Sequence, residues 1–208
     1  GTRRASPGAP LPEHVDYALP GGVDVVEFDT PQSVVSFAQP GITRDDPDFI
    51  PAYIMMEIFS GVGFSSRLME EVREKRGLTY GIGASLYPMD NAELIIGSVS
   101  SANDKVAETI EVIKAEWAKL AEDGITQEEL DRAKTYLTGA YPLRFDGNGR
   151  IANILVGMQM TDLPIDYPET RNELVDAVTL EDINRVVDRI IEPERLHFVV
   201  VGKPAGLE

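Results

Sequence analysis

From Asn103 onward the apolar residues Val106, Ile110, Ile113, Trp117 and Leu120 recur at three- and four-residue intervals until Gly124. This spacing predicts an amphipathic helix with one stripe turned towards a core and a glycine stop. Thr126-Gln127-Glu128-Glu129 has the form of a capping box, which starts a second helix through Lys134 and Leu137. Pro142 and the Asp146-Gly147-Asn148-Gly149 cluster interrupt it, and IANILVGMQM predicts another helix. A short helix is expected around Asn172, after Pro164 and Pro168. The run Thr179 to Asp182 then caps a helix whose stripe is Ile183, Val186, Val187 and Ile190. LHFVVVG, near the end, has the composition of a strand.

The first half has a different rhythm. VDVVEFD and QSVVSFAQ, separated by Thr30-Pro31, are β-branched and aromatic, and they predict two strands forming a β-pair. Asp45, Asp46 and Asp48 flank Pro47 ahead of FIPAYIMMEIFSG, the signature of a helix start followed by a deeply buried body. A charged helix over about Ser65 to Lys75 turns Leu68, Met69 and Val72 inward and stops at Gly77. TYGIGASLYP then alternates Tyr80, Ile82, Ala84 and Leu86 against Gly81, Gly83, Ser85 and Tyr87, and AELIIGSVS completes a hairpin. Hairpins exclude an all-parallel sheet, and the helices are segregated from the strands. The fold class expected is therefore α+β, a mainly antiparallel sheet with helices packed on one face. Residues 1–20, with Pro7, Pro10 and Pro12, form an extended linker or strap; residues 21–204 form a single domain and residues 205–208 a tail.

Composition narrows the function. The 208 residues hold 35 acids against 19 lysines and arginines, a formal charge of −16 that disfavours nucleic-acid binding. No stretch approaches the roughly 18 apolar residues of a membrane-spanning helix. The absence of cysteine excludes disulfides and thiolate metal sites, while leaving the compartment open. The only histidines, His14 and His197, lie near opposite ends and are expected to be incidental. The chain begins without methionine, which suggests a fragment of something longer.

The chemistry that remains lies between Ser60 and Gly81. Arg73 leaves the end of a helix and Tyr80 opens the next strand, a pairing suited to gripping a backbone carbonyl. Each has a plainer alternative. Arg73, among Glu70, Glu71 and Glu74, could make solvated ion pairs worth ~0–1 kcal/mol. Tyr80 could bury its ring and leave its hydroxyl at the edge. Ser60, Gly61 and Gly63 form either a plain turn or a substrate-lining loop. Arg67 is expected to cap or pair locally, and Arg76 to complement the helix C-terminus.

Four segments in order, PDFIPAYIMMEIFSG, FSSRLMEEVREKRGLTYGIGASL, ITQEELDRAKTYLTGAY and VTLEDINRVVDRIIEPERLHFVVVG, resemble the pitrilysin, insulinase and mitochondrial processing peptidase family. The resemblance is to the non-catalytic half of these zinc metalloendopeptidases, and it covers about Val23 to Gly202. It implies one half of a clamshell around a chamber, with zinc held by a catalytic domain or subunit through H-x-x-E-H. This chain has no such motif, so it is expected to bind no cofactor itself, with zinc in the partner half. The resemblance places the substrate-clamping pair on Arg73 and Tyr80, beside that zinc. The partners implied are the catalytic half and a peptide substrate, without nucleic acid or membrane. An acidic chamber wall would favour basic peptides. SGVGF is shorter than the glycine-rich loop of the processing peptidases. The alternative is a non-enzymatic scaffold of the same fold, as in respiratory complex core subunits. Bacterial relatives of this size class are often exported, which inclines the compartment towards the periplasm.

Overall fold

Alternating burial along QSVVSFAQP turns Val35 and Phe37 inward and Val34 and Ser36 outward, as a strand covered on one face requires. The structure is a computed structural model that describes residues 13–15, 17, 19–61, 66–89 and 91–207. Its five strands are β1 (Gly22–Glu27), β2 (Gln32–Pro40), β3 (Thr79–Tyr87), β4 (Leu94–Ala102) and β5 (His197–Gly202). They form one sheet in the order β1-β5-β2-β4-β3. Only β1 and β5 run parallel, so the sheet is mainly antiparallel, as expected.

The expected opening β-pair is not formed. β1 and β2 are both strands, but β5 lies between them and pairs with each. Composition accounts for this: HFVVVG has an uncharged, mostly β-branched run that suits an interior strand, whereas β1 carries Asp24 and Glu27 and takes an edge. His197 secures the parallel pair, its ring bonded to the Gly21 carbonyl and to Asp24. The expected hairpin is β3–β4. Residues 1–12 of the expected strap lie outside the described residues. Further on, Val15 N–H bonds the Asn91 carbonyl, the Tyr17 hydroxyl donates to the Glu93 carbonyl and His14 pairs with Glu93.

Six α-helices are described: α1 (Phe49–Ser60), α2 (Val106–Asp123), α3 (Gln127–Ala140), α4 (Asn148–Met160), α5 (Tyr167–Ala177) and α6 (Leu180–Ile190). The predicted stripes of α2 and α6 are buried. Both capping boxes are complete, Thr126 with Glu129 and Thr179 with Asp182. The core lies between these helices and the inner face of the sheet. Trp117 packs edge-on to Phe37 and Phe59 and donates its indole N–H to Gln39 at 2.5 Å. Fully buried Gln39 also donates to the Ile190 carbonyl, joining β2, α2 and α6.

The acids before α1 do more than start a helix. Asp48 makes no side-chain cap; it pairs with Arg185 and Arg189 of α6, and Asp46 pairs with Arg189 at 2.6 Å. Hydrogen bonds from Arg189 to Asp46 and from Arg185 to Asp48 lower both carboxyl pKa values. These four side chains fix the start of α1 against α6.

Candidate functional site

The segment that carries Arg73 is held at both ends. Arg67 grips Glu129 with two 2.7 Å hydrogen bonds and also donates to the Gly124 carbonyl at 2.9 Å. Its partner lies 62 positions away, at the start of α3, so the expected local pairing is replaced by a tertiary tie. From there the expected α-helix widens into a π-helical stretch, Met69–Glu74, with Lys75 N–H bonded to the Glu70 carbonyl. Such widening is rare and concentrates at functional sites. Leu68 and Val72 are buried as predicted. The helix closes when Gly77, at φ 61°, bonds the Arg73 carbonyl and Leu78 bonds that of Val72. Arg76 donates to the Glu71 carbonyl and carboxylate within the last turns.

Tyr80 is positioned by a β-bulge that the alternation in the sequence conceals. Thr79 pairs with Ser101 and Ile82 with Val99, so Tyr80 and Gly81 together oppose Ser100. The Thr79 hydroxyl holds the bulge, donating to the Ser100 carbonyl at 2.7 Å and accepting from Gly81 N–H at 3.2 Å. A bulge adds a residue and re-aims its side chain. Tyr80 therefore leaves the face it was expected to share with Ile82 and Ala84. Those two are buried, whereas Tyr80 is 92% exposed. The alternative of a ring in the core is excluded. Gly81 inside the strand was the available signal, since a strand glycine often marks a bulge, although Gly83 in the same strand is regularly paired.

Arg73 and Tyr80 line one open cavity of about 570 Å³, with Gln32, Glu74, Thr79 and Ser100 around them. Arg73 contacts Glu74 at 3.4 Å and remains half exposed, so this pair adds little to stability. The cavity lies beyond the helix stop, where the start of β3 meets the end of β4 and the start of β2. Beside it runs the uncovered face of the sheet, with Val34, Ser36, Ser98, Ser100, Val199 and Val201 outward.

The other candidates divide. Ser60 is fully buried, and its hydroxyl, with one proton to donate, lies 2.5 Å from the Ala84 carbonyl and 3.1 Å from that of Met56. It ties α1 to β3 and does not line an open surface, which corrects its assignment to a substrate-lining loop. Gly61 is buried as the C-cap of α1, its N–H bonded to the Glu57 carbonyl. Gly63 lies outside the described residues. Among the described residues no group of three or more His, Asp or Glu side chains is arranged to hold a metal ion. His14 and His197 each meet one carboxylate, at separate places. These residues do not fit a zinc site.

Comparison with known proteins gives the wider setting. The profile of the Peptidase M16 inactive domain matches residues 3–137. A non-peptidase homolog, YmxG, of Helicobacter pylori is 29% identical over 179 residues, covering 86% of this chain and 41% of the relative. The chloroplastic stromal processing peptidase of Pisum sativum is 31% identical over 154 residues, covering 72% of this chain and 12% of that protein. The crystal structure of a peptidase M16 inactive domain from Pseudomonas fluorescens superimposes with a TM-score of 0.83 at 28% identity, over 96% of this chain and 47% of that one. The chain thus spans less than half the length of these relatives.

Proposed function

Since the chain belongs to the Peptidase M16 inactive domain family, we propose that it forms the non-catalytic half of a zinc metalloendopeptidase chamber and clamps substrate peptide through Arg73 and Tyr80. The observation that carries this reading is their convergence on one cavity between the helix stop and the ends of β3 and β4. The helix stop at Gly77 and the bulge at Tyr80 and Gly81 bring them there. Neither side chain is needed for the core, because Tyr80 is exposed and Arg73 makes only a surface contact.

The zinc-bearing half supplies the activated water. The part left to this chain is to hold the peptide and place donors where charge develops. Arg73 offers a permanently charged fork and Tyr80 a single hydroxyl donor on a rigid ring. Donors fixed in advance act without reorganising as a carbonyl oxygen gains charge, and removing one typically costs ~2.7–4 kcal/mol, about 10²–10³ in rate. The open face of the sheet, with small hydroxyl and aliphatic side chains, suits a wall along which extended peptide slides. The scaffold alternative requires neither donor, and the exposed Tyr80 favours the peptidase.

The test combines the chain with a zinc-bearing half of the same family and follows peptide cleavage. Arg73→Ala and Tyr80→Phe should each lower kcat/KM by about 10²–10³. Full cleavage by both variants would remove the clamp and leave the scaffold.

A further inference from the structure

Three arginines line one cavity in the helical layer, away from the cavity of Arg73 and Tyr80, and among the described residues no carboxylate pairs with any of them. Phe49 and Tyr53 of α1, Tyr141 and Arg144 beyond α3, and Tyr167 and Arg171 of α5 enclose a cavity of about 250 Å³, with Arg44 at its wall. Two arginines are stacked on its aromatic rings. The Arg44 guanidinium carbon lies 4.2 Å from the Phe49 ring centre and 5.7 Å from that of Tyr167. That of Arg171 lies 4.5 Å from Tyr141 and 5.7 Å from Tyr53. Arg171 is only 4% exposed.

The bonds they make leave donors over. Arg171 donates to the Leu137 carbonyl at 2.8 Å, to the Asn172 side chain at 3.1 Å and to the Tyr53 hydroxyl at 3.5 Å. Arg44 has one long bond, 3.3 Å, to the Tyr167 hydroxyl. Arg144 lines this cavity and two beside it, one of them shared with Arg150. No ion pair engages Arg44, Arg144 or Arg171 among the described residues. The acid whose field Arg144 and Arg171 share is Glu57, one turn beyond Tyr53. It lines the adjoining cavity without pairing with them, and burial raises its pKa against the opposing pull of Arg171 and Arg144. A chain with 35 acids and 19 bases has carboxylates to spare for its arginines. Three arginines kept from them around one aromatic cavity are poised for an anion from outside.

We infer that this cavity binds a small carboxylate with an apolar or aromatic body, the charge on the Arg44, Arg144 and Arg171 guanidinium groups and the body between the tyrosine rings, Ile154 and Met158. Its volume lies below the roughly 300–1,000 Å³ of drug-sized sites, which limits the occupant to a small acid or the last residue of a peptide. The cavity shares no residue with the one lined by Arg73 and Tyr80, so this site stands whatever becomes of the peptidase reading.

Calorimetric titration of the protein with phenylacetate, phenylacetamide and inorganic phosphate tests it. Saturable one-to-one binding of phenylacetate is expected, at least tenfold tighter than the amide or phosphate. Arg144→Gln should weaken it at least tenfold with an unchanged melting temperature, because Arg144 donates no side-chain hydrogen bond among the described residues; Arg44→Gln should do the same to binding. N-acetylphenylalanine and a tetrapeptide ending in phenylalanine separate the sources. Equal affinity assigns a peptide terminus and preference for the small acid a free metabolite, either of which supports the site. Absence of saturable phenylacetate binding, equal binding of the amide or phosphate, or binding untouched by both substitutions would overturn it.

Discussion

Replacing Glu129 by Gln removes one charge from the point where the segment carrying Arg73 is attached to the rest of the fold. Both carboxylate oxygens are engaged, by Arg67 and by the backbone and hydroxyl of Thr126, and the two charged side chains are only 17% and 16% exposed. Burial opposes the charge, but the hydrogen bonds from Arg67 and Thr126 outweigh it and hold the Glu129 pKa at about 2, against an ordinary 4.5. At about 1.4 kcal/mol per pH unit, that gap corresponds to roughly 3 kcal/mol of stability. Breaking a buried pair from one side costs ~3–5 kcal/mol, and Arg67 keeps its bond to Gly124, so Glu129→Gln should lose about 2–4 kcal/mol at pH 7. Because the folded pKa is depressed, this stability is fully present above about pH 4.5 and is lost as pH falls through about 2. The difference between wild type and variant should therefore shrink over that interval. Urea unfolding followed by the fluorescence of Trp117, the only tryptophan, measures it at each pH. A loss below about 0.5 kcal/mol at neutral pH, or one as large at pH 2 as at pH 7, would refute the argument.

Two further substitutions probe the geometry directly. A Cβ at Gly97 would lie 2.2 Å from the Phe37 ring and 2.9 Å from the Ala84 Cβ, so Gly97→Ala should destabilise by about 1–3 kcal/mol in the same urea assay. Gly77 sits at φ 61° with open space around it, so Gly77→Ala should lose about 1–2 kcal/mol through backbone strain alone, and Gly77→Asn less. Equal stability of the alanine and glycine proteins would show that the helix stop tolerates another path.

Much of the fold was legible because it is local. The three- and four-residue spacing of Val106 to Leu120 fixes which side of α2 is buried, and both capping boxes need only residues three apart. The glycine stop at Gly77 was likewise readable, because its backbone angle is a property of one residue. Strand pairing was not, since β5 enters between β1 and β2 from some 160 residues further along the chain. The bulge escaped for a related reason. Alternation assigns faces only while the ladder is regular, and the extra residue at Tyr80 and Gly81 is defined by what lies opposite, Ser100.

The sequence by itself determined most of the elements, the two capping boxes, the absence of a zinc motif and the two donors most worth following. Tertiary structure decided what those side chains meet. It buried Ser60, exposed Tyr80, sent Arg67 to Glu129 instead of a neighbour, and gathered Arg44, Arg144 and Arg171 from three distant segments around one cavity. The physical reason is the same in each case. Helix and turn preferences are settled over a few residues, whereas burial, ion pairing and the lining of a cavity depend on which surfaces the chain brings together.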